Sequence, residues 1–168
     1  AALPIIVSSL LSEKTLKLLN VPNVVDVLNL IKLLKNYGVK IEHKKNKLKI
    51  NPSKIKNLSA DYDVVRKMRA SILILGPLLS RFGEARISLP GGCAIGTRPI
   101  DIHLAGLSKL GANFEIQNGF VVGSVKSQLI GNKIKLPFPS VGATENILMA
   151  SVLALSLIHI SEPTRQHW

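Results

Sequence analysis

The stretch PGGCAIGTRPID, residues 90–101, concentrates the reactive chemistry of this chain. It holds the only cysteine, Cys93, directly after Gly91 and Gly92 and five residues before Arg98. A thiol does acid, base or nucleophilic work when it is accessible and its pKa is tuned, and a nearby guanidinium stabilises the thiolate. Paired glycines permit unusual backbone angles and close approach to a ligand. Taken alone, a single cysteine is more often inert packing. Arg98 offers a planar fork suited to phosphate or carboxylate oxygens. Pro99 and Asp101 also suit the first turn of a helix, the one by its fixed φ and the other by the positive end of the dipole. Arg69, in KMRAS, precedes a helix that is apolar from 72 to 79, so its charge emerges at that helix's start. Ser140, Val141 and Gly142, in PSVGAT, read either as a serine N-cap or as an anion-binding turn at a helix N-terminus. His103 reads as structural or solvent-facing. No cluster of metal ligands is visible, and one cysteine excludes an internal disulfide and a multi-cysteine zinc site.

The elements that must position these residues repeat. IKLLKNYGVKIE (31–42) and LAGLSKLGANFE (104–115) both place apolar residues on one helix face, then a glycine, then an apolar-x-apolar strand start. Gly38 and Gly111 fall where a left-handed C′ residue ends a helix. The offset is about 70 residues, and it also relates ALPIIVSSLL (2–11), ASILILGPLL (70–79) and ATENILMASVL (143–153), each read as a buried helix. Short strands follow the first two, TLKLLNV (15–21) and EARISLP (84–90). One unit is therefore helix, strand, helix, strand, strand. Its last two strands form hairpins that turn near Lys45-Asn46 and at Asn118-Gly119. Two units are complete and a third stops after its first helix. The run 155–160 is a candidate helical extension of 148–153. The class expected is α/β (α+β), with helices packed against small sheets.

Composition narrows the partners. With 168 residues, 46% of them apolar, the chain can bury one real core, and 4% aromatics make that core aliphatic. The net charge of +12 raises a nucleic-acid partner, but the lysine run HKKNKLKINPSKIK (43–56) contains no aromatic on which a base could stack. It reads as a solvated hairpin, and no nucleic-acid partner is expected. The apolar run 147–160 is broken by serines and His159 and is short for a membrane span, so no membrane partner is expected. The start lacks a basic signal-peptide region and an initiator methionine, and it reads as an interior piece of a longer protein.

The segment KMRASILILGPLLSRFGEARISLPGGCAIGTRPIDIHLAGLSKLGA (67–112) closely resembles the UDP-N-acetylglucosamine enolpyruvyl transferases. MRAS, LPGGCAIG, RPID and PSVGATEN occur in that family's order, over residues 1 to about 154. The resemblance implies an inside-out α/β barrel-type domain of helix-and-strand repeats, here with the third repeat truncated. It implies transfer of the enolpyruvyl group of phosphoenolpyruvate to the 3′-hydroxyl of UDP-N-acetylglucosamine, with release of phosphate, as the first committed step of peptidoglycan synthesis in the cytoplasm. No cofactor and no metal are implied. Cys93 matches the mobile-loop acid that protonates C3 of the enol and is the target of fosfomycin. Arg98, Pro99, Ile100, Asp101 and Ile102 match the segment that holds the uridine end. Arg69 matches a substrate-binding arginine, and Ser140, Val141 and Gly142 match a turn on the diphosphate. Phe138 stands where some members carry a lysine.

The same resemblance implies that residues 1–154 are part of a catalytic domain whose second, partner domain is missing. A Lys-Asn pair that the family places before AALPI is missing as well, so the piece by itself is expected to be inactive. Residues 155–168, LSLIHISEPTRQHW, resemble the translation of a sequencing adapter and are read as a non-native tail. The sibling transferase acting on shikimate 3-phosphate is disfavoured by LPGGCAIG and RPID. A basic nucleic-acid-binding repeat domain is the alternative of another class.

Overall fold

The computed structural model describes residues 2–55, 58, 69–88, 100–156 and 159–161. The first unit runs through α1 (Ala2–Ser8) with a 3-10 turn (Ser9–Leu11), β1 (Leu16–Leu18), α2 (Val25–Asn36), β2 (Lys40–Lys44) and β3 (Lys47–Asn51). The second runs through a 3-10 helix (Arg69–Ile74) continuing into α3 (Leu75–Phe82), then β4 (Glu84–Ser88), α4 (Ile100–Lys109), β5 (Ala112–Gln117) and β6 (Phe120–Val125). Strand β7 (Lys133–Lys135) leads to α5 (Val141–Ser151), the first helix of a third unit.

The two units share one topology. Their sheets have the orders β1-β3-β2 and β4-β6-β5, antiparallel throughout, so in each unit the first strand crosses over a helix and the hairpin's last strand lies in the middle. Local chemistry sets the breaks. Gly38 (φ 92°) and Gly111 (φ 98°) take left-handed conformations that a Cβ would disfavour. Gly38 N–H donates to Lys35 O at 2.9 Å and Val39 N–H to Leu34 O at 3.1 Å, the paired bonds of a glycine-ended helix. Lys45 (φ 51°) and Asn118 (φ 49°) with Gly119 (φ 79°) turn the two hairpins where their sequences place them.

The helices, not the sheets, make the centre. α3 packs on α5 and on the 3-10 turn that follows α1, α1 touches α5, α2 lies on α1 and on the Arg69–Ile74 turn, and α4 lies on α5. Ile6, Leu10, Leu30, Leu34, Ile50, Leu75, Leu78, Leu107 and Ile147 are among the buried aliphatics of this core. Equivalent residues meet across it: Gly76 N–H donates to Asn146 Oδ1 (2.9 Å) and Ser80 Oγ–H to Ala150 O (2.8 Å), each pair 70 residues apart. Arg81, at the end of α3, donates to the carbonyls of Leu10 (3.0 Å), Ser12 (3.2 Å) and Pro52 (3.2 Å) and pairs with Glu13. It thereby satisfies carbonyls at the end of the first helix that have no partner within it.

The repeated helix–strand units match expectation, but the inside-out barrel does not. The described strands form separate three-, three- and two-stranded sheets, none of them closed into a barrel or strongly curled. A barrel needs a continuous ring of strand pairing. Here each three-stranded sheet ends on two outer strands, and helices occupy the space between sheets. The chain after α5 also departs from a helical extension. Leu155 N–H donates to Leu129 O (2.8 Å) and Gly131 N–H donates to Leu155 O (2.6 Å), which draws the main chain off the helix axis. It then forms β8 (His159–Ser161), parallel to β7 and in the place that β1 and β4 hold after their helices.

Candidate functional site

Two helix starts converge. Ser140 is the N-cap of α5 in extended geometry (φ −141°, ψ 101°), and its hydroxyl accepts from Ala143 N–H at 3.4 Å. Its carbonyl accepts from Thr144 N–H (3.0 Å) and Thr144 Oγ1–H (2.9 Å). Val141 is exposed and Gly142 half-buried in the first turn, where helical N–H groups lack intrahelical partners. Replacing Ser140 with alanine is expected to cost about 1 kcal/mol in a urea-unfolding comparison, because the capping oxygen is lost. The second helix start is that of α4. Asp101 is exposed in its first turn, whereas the Ile102 side chain is only 6% exposed in the core, leaving its main chain alone for any contact. Asp101, Lys109, Lys135 and Leu136 line a groove of about 230 Å³ between α4 and β7. Phe138, two residues before the cap, is 47% exposed.

The helices are joined by Asn146, which is 0% exposed. Its Oδ1 accepts from Gly76 N–H (2.9 Å), and its Nδ2 donates to Ile72 O (2.9 Å) and contacts His103 Nδ1 (3.1 Å). The two backbone partners have fixed polarity, so they fix the orientation of the amide. Nδ2 can only donate; His103 Nδ1 must therefore accept, and the ring's proton sits on Nε2. The Cε1–Nε2 edge lies along α5 towards its start: a Cβ built on Gly142 would be 3.4 Å from His103 Cε1 and 3.7 Å from Nε2. Two helix starts held this way, each presenting N–H groups, suit an anionic group.

Burial lowers the pKa of His103 to about 4 from 6.5, and the amide N–H facing Nδ1 opposes a proton there. The unfolded chain takes up that proton below about 6.5, while the folded chain refuses it until about 4. Stability should therefore fall as pH drops from about 6.5 to about 4, by at most about 3 kcal/mol from this group. Urea unfolding across that window, compared with His103→Asn, checks it: the variant should lose this part of the pH slope.

Among the expected site residues, Ile100, Asp101 and Ile102 stand at the start of α4, and Ser140, Val141 and Gly142 at the start of α5. His103 brings these two sets together. Arg69 opens the 3-10 helix, and Asn146 ties that helix to α5 through Ile72 O. Cys93, Arg98 and Pro99 lie outside the described residues. Sequence reasoning missed Asn146 and set His103 aside. The available signal was an asparagine inside the apolar run ATENILMASVL, 70 residues from a glycine in the preceding copy. Among the described residues no three of His, Cys, Asp and Glu gather as a metal site, and no helix is long and apolar enough to cross a membrane.

The sequence profile of EPSP synthase (3-phosphoshikimate 1-carboxyvinyltransferase) matches residues 1–167. The chain belongs to the EPSP synthase family. Within it, the chain is 53% identical over 154 residues to the UDP-N-acetylglucosamine 1-carboxyvinyltransferase of Campylobacter jejuni subsp. jejuni serotype O:23/36 (strain 81-176), covering 92% of this chain and 36% of that protein. It is 50% identical over 166 residues to the enzyme of the same name from Buchnera aphidicola subsp. Baizongia pistaciae, covering 99% and 40%. This EPSP synthase family member thus spans well under half the length of the curated relatives it matches. Its fold is also that of the enolpyruvyl transferase NikO from Streptomyces tendae (TM-score 0.75, 17% identity, 90% of this chain and 36% of that one). The EPSP synthase from Acinetobacter baumannii shares it too (TM-score 0.72, 19% identity, 99% and 39%).

Proposed function

We propose that the chain is the N-terminal part of an enolpyruvyl transferase that moves the enolpyruvyl group of phosphoenolpyruvate to the 3′-hydroxyl of UDP-N-acetylglucosamine and releases phosphate. The observation that carries this reading is the 53% and 50% identity to UDP-N-acetylglucosamine 1-carboxyvinyltransferases across 92% and 99% of the chain. Acceptor choice follows those relatives, not the shikimate 3-phosphate enzyme that gives the family its name. Residues 1–154 form part of the catalytic domain, residues 155–168 are a non-native tail whose first residues pair with the Leu129–Gly131 segment and with β7, and the cytoplasm is the place of action.

The chemistry is addition followed by elimination. C3 of the enol takes a proton as the sugar hydroxyl attacks C2 and gives its own proton to a base, and the tetrahedral ketal then loses a C3 proton together with phosphate, which restores the enol double bond. Cys93, which follows Gly91 and Gly92 in the sequence, is the acid at C3. Arg98 and Arg69 place positive charge by phosphate and carboxylate oxygens. Pro99, Ile100, Asp101 and Ile102 hold the uridine end, with Asp101 accepting hydrogen bonds. Ser140, Val141 and Gly142 receive the diphosphate on the first turn of α5, where unpaired N–H groups and the helix dipole favour anions. The test is phosphate release by the full-length protein. Release should require phosphoenolpyruvate and UDP-N-acetylglucosamine together, and no turnover with that pair would overturn the reading.

A further inference from the structure

The Asn146–His103 pair does more than fill the core. A buried asparagine between helices can satisfy all its hydrogen bonds with backbone groups alone. This one spends one of its two amide protons on an imidazole nitrogen, 3.1 Å away, and that imidazole is only half-buried. Because Gly76 N–H and Ile72 O fix the amide, the ring has one neutral tautomer compatible with the contact. Its remaining N–H belongs to the edge beside Gly142. The lowered pKa of His103 fits a ring kept neutral.

We propose that Asn146 is a positioning residue: it holds His103 as the neutral Nε2–H tautomer and presents that N–H beside the first turn of α5, where it donates to a diphosphate oxygen of the sugar nucleotide. The proposal rests on the reading of that turn as the diphosphate site. A neutral donor suits this place because it adds a hydrogen bond to the anion without charging a half-buried ring. It also gives the site a directional contact on the α4 side, while the N–H groups of α5 supply the other.

Two variants of the full-length protein separate this role from packing. His103→Asn keeps an acceptor near the Nδ1 position and removes the Nε2–H donor. His103→Gln keeps a donor near Nε2 and weakens the contact to Asn146. The proposal expects His103→Asn to be the more stable of the two yet to raise KM for UDP-N-acetylglucosamine about tenfold with little change in kcat. His103→Gln should recover most of that KM loss despite its lower stability. KM that tracks stability in both variants, or that stays at the wild-type value in His103→Asn, would overturn the proposal. Long-range proton–nitrogen NMR on 15N-histidine-labelled full-length protein gives an independent reading. A protonated Nε2 and bare Nδ1 in the signal lost on His103→Asn supports the proposal, and the opposite tautomer or an imidazolium at neutral pH overturns it. If the full-length protein turns over no UDP-N-acetylglucosamine, the proposed function and the diphosphate role fail together, while the NMR result still decides the tautomer lock.

Discussion

A Gly76→Ala substitution in this chain is expected to cost about 4 kcal/mol of stability, a large share of what a domain of this size possesses. The added Cβ would stand 2.5 Å from the main-chain oxygen of Asn146, closer still to its Oδ1, and 3.3 Å from Ala150 Cβ. The oxygens cannot swing aside. One is backbone of α5, and the other is held by the Gly76 N–H itself at 2.9 Å. Relief requires α3 and α5 to part, which breaks the Gly76–Asn146 bond and opens the packed centre. Alanine's better helix propensity returns only about 1 kcal/mol. Gly106→Ala is the control. Its Cβ would meet only the Ile147 side chain, with Cγ1 at 2.8 Å. A side chain can change rotamer, so the cost should be about 1–2 kcal/mol. Urea unfolding of both variants beside wild type reads the difference, and equal losses would contradict this account of the helix centre.

The second large effect concerns Cys93. In the full-length protein, Cys93→Ala should lower turnover at least about a hundredfold, the lower end of what a positioned general acid supplies. The enol carbon is a weak base, and addition of the sugar hydroxyl stalls unless a proton arrives at C3 as C2 is attacked. Binding of UDP-N-acetylglucosamine alone should change little, because the nucleotide contacts proposed above fall on other residues. Cys93 is the only cysteine of the chain, so fosfomycin should label it and leave the variant unlabelled over the same peptide in mass spectrometry. A variant with full turnover would remove the thiol from the mechanism.

Much of this architecture was legible because short-range rules and long-range packing agree. The Gly38 and Gly111 helix ends, the Asn118-Gly119 hairpin and the repeat period each follow from local backbone chemistry, and each is present. The chain after Ser151 was not legible as a helix end, because its cause is distant: hydrogen bonds to Leu129 and Gly131. Nothing in the sequence around Arg81 marks its partners, and only the folded chain reveals the carbonyls that surround it. Barrel closure was inferred from resemblance, and the pairing order of separate sheets does not provide it. At the site, Ser140 could be read from its N-cap position alone. Asn146 and His103 could not, because their meaning is a contact between α4 and α5 across 43 residues.

The most direct test of the whole account is acceptor choice. Full-length protein is incubated with phosphoenolpyruvate and equal amounts of UDP-N-acetylglucosamine and shikimate 3-phosphate, and mass spectrometry identifies which acceptor gains the enolpyruvyl group. The account predicts modification of UDP-N-acetylglucosamine alone, with one phosphate released per product. Enolpyruvyl transfer to shikimate 3-phosphate, or to neither acceptor, would contradict it.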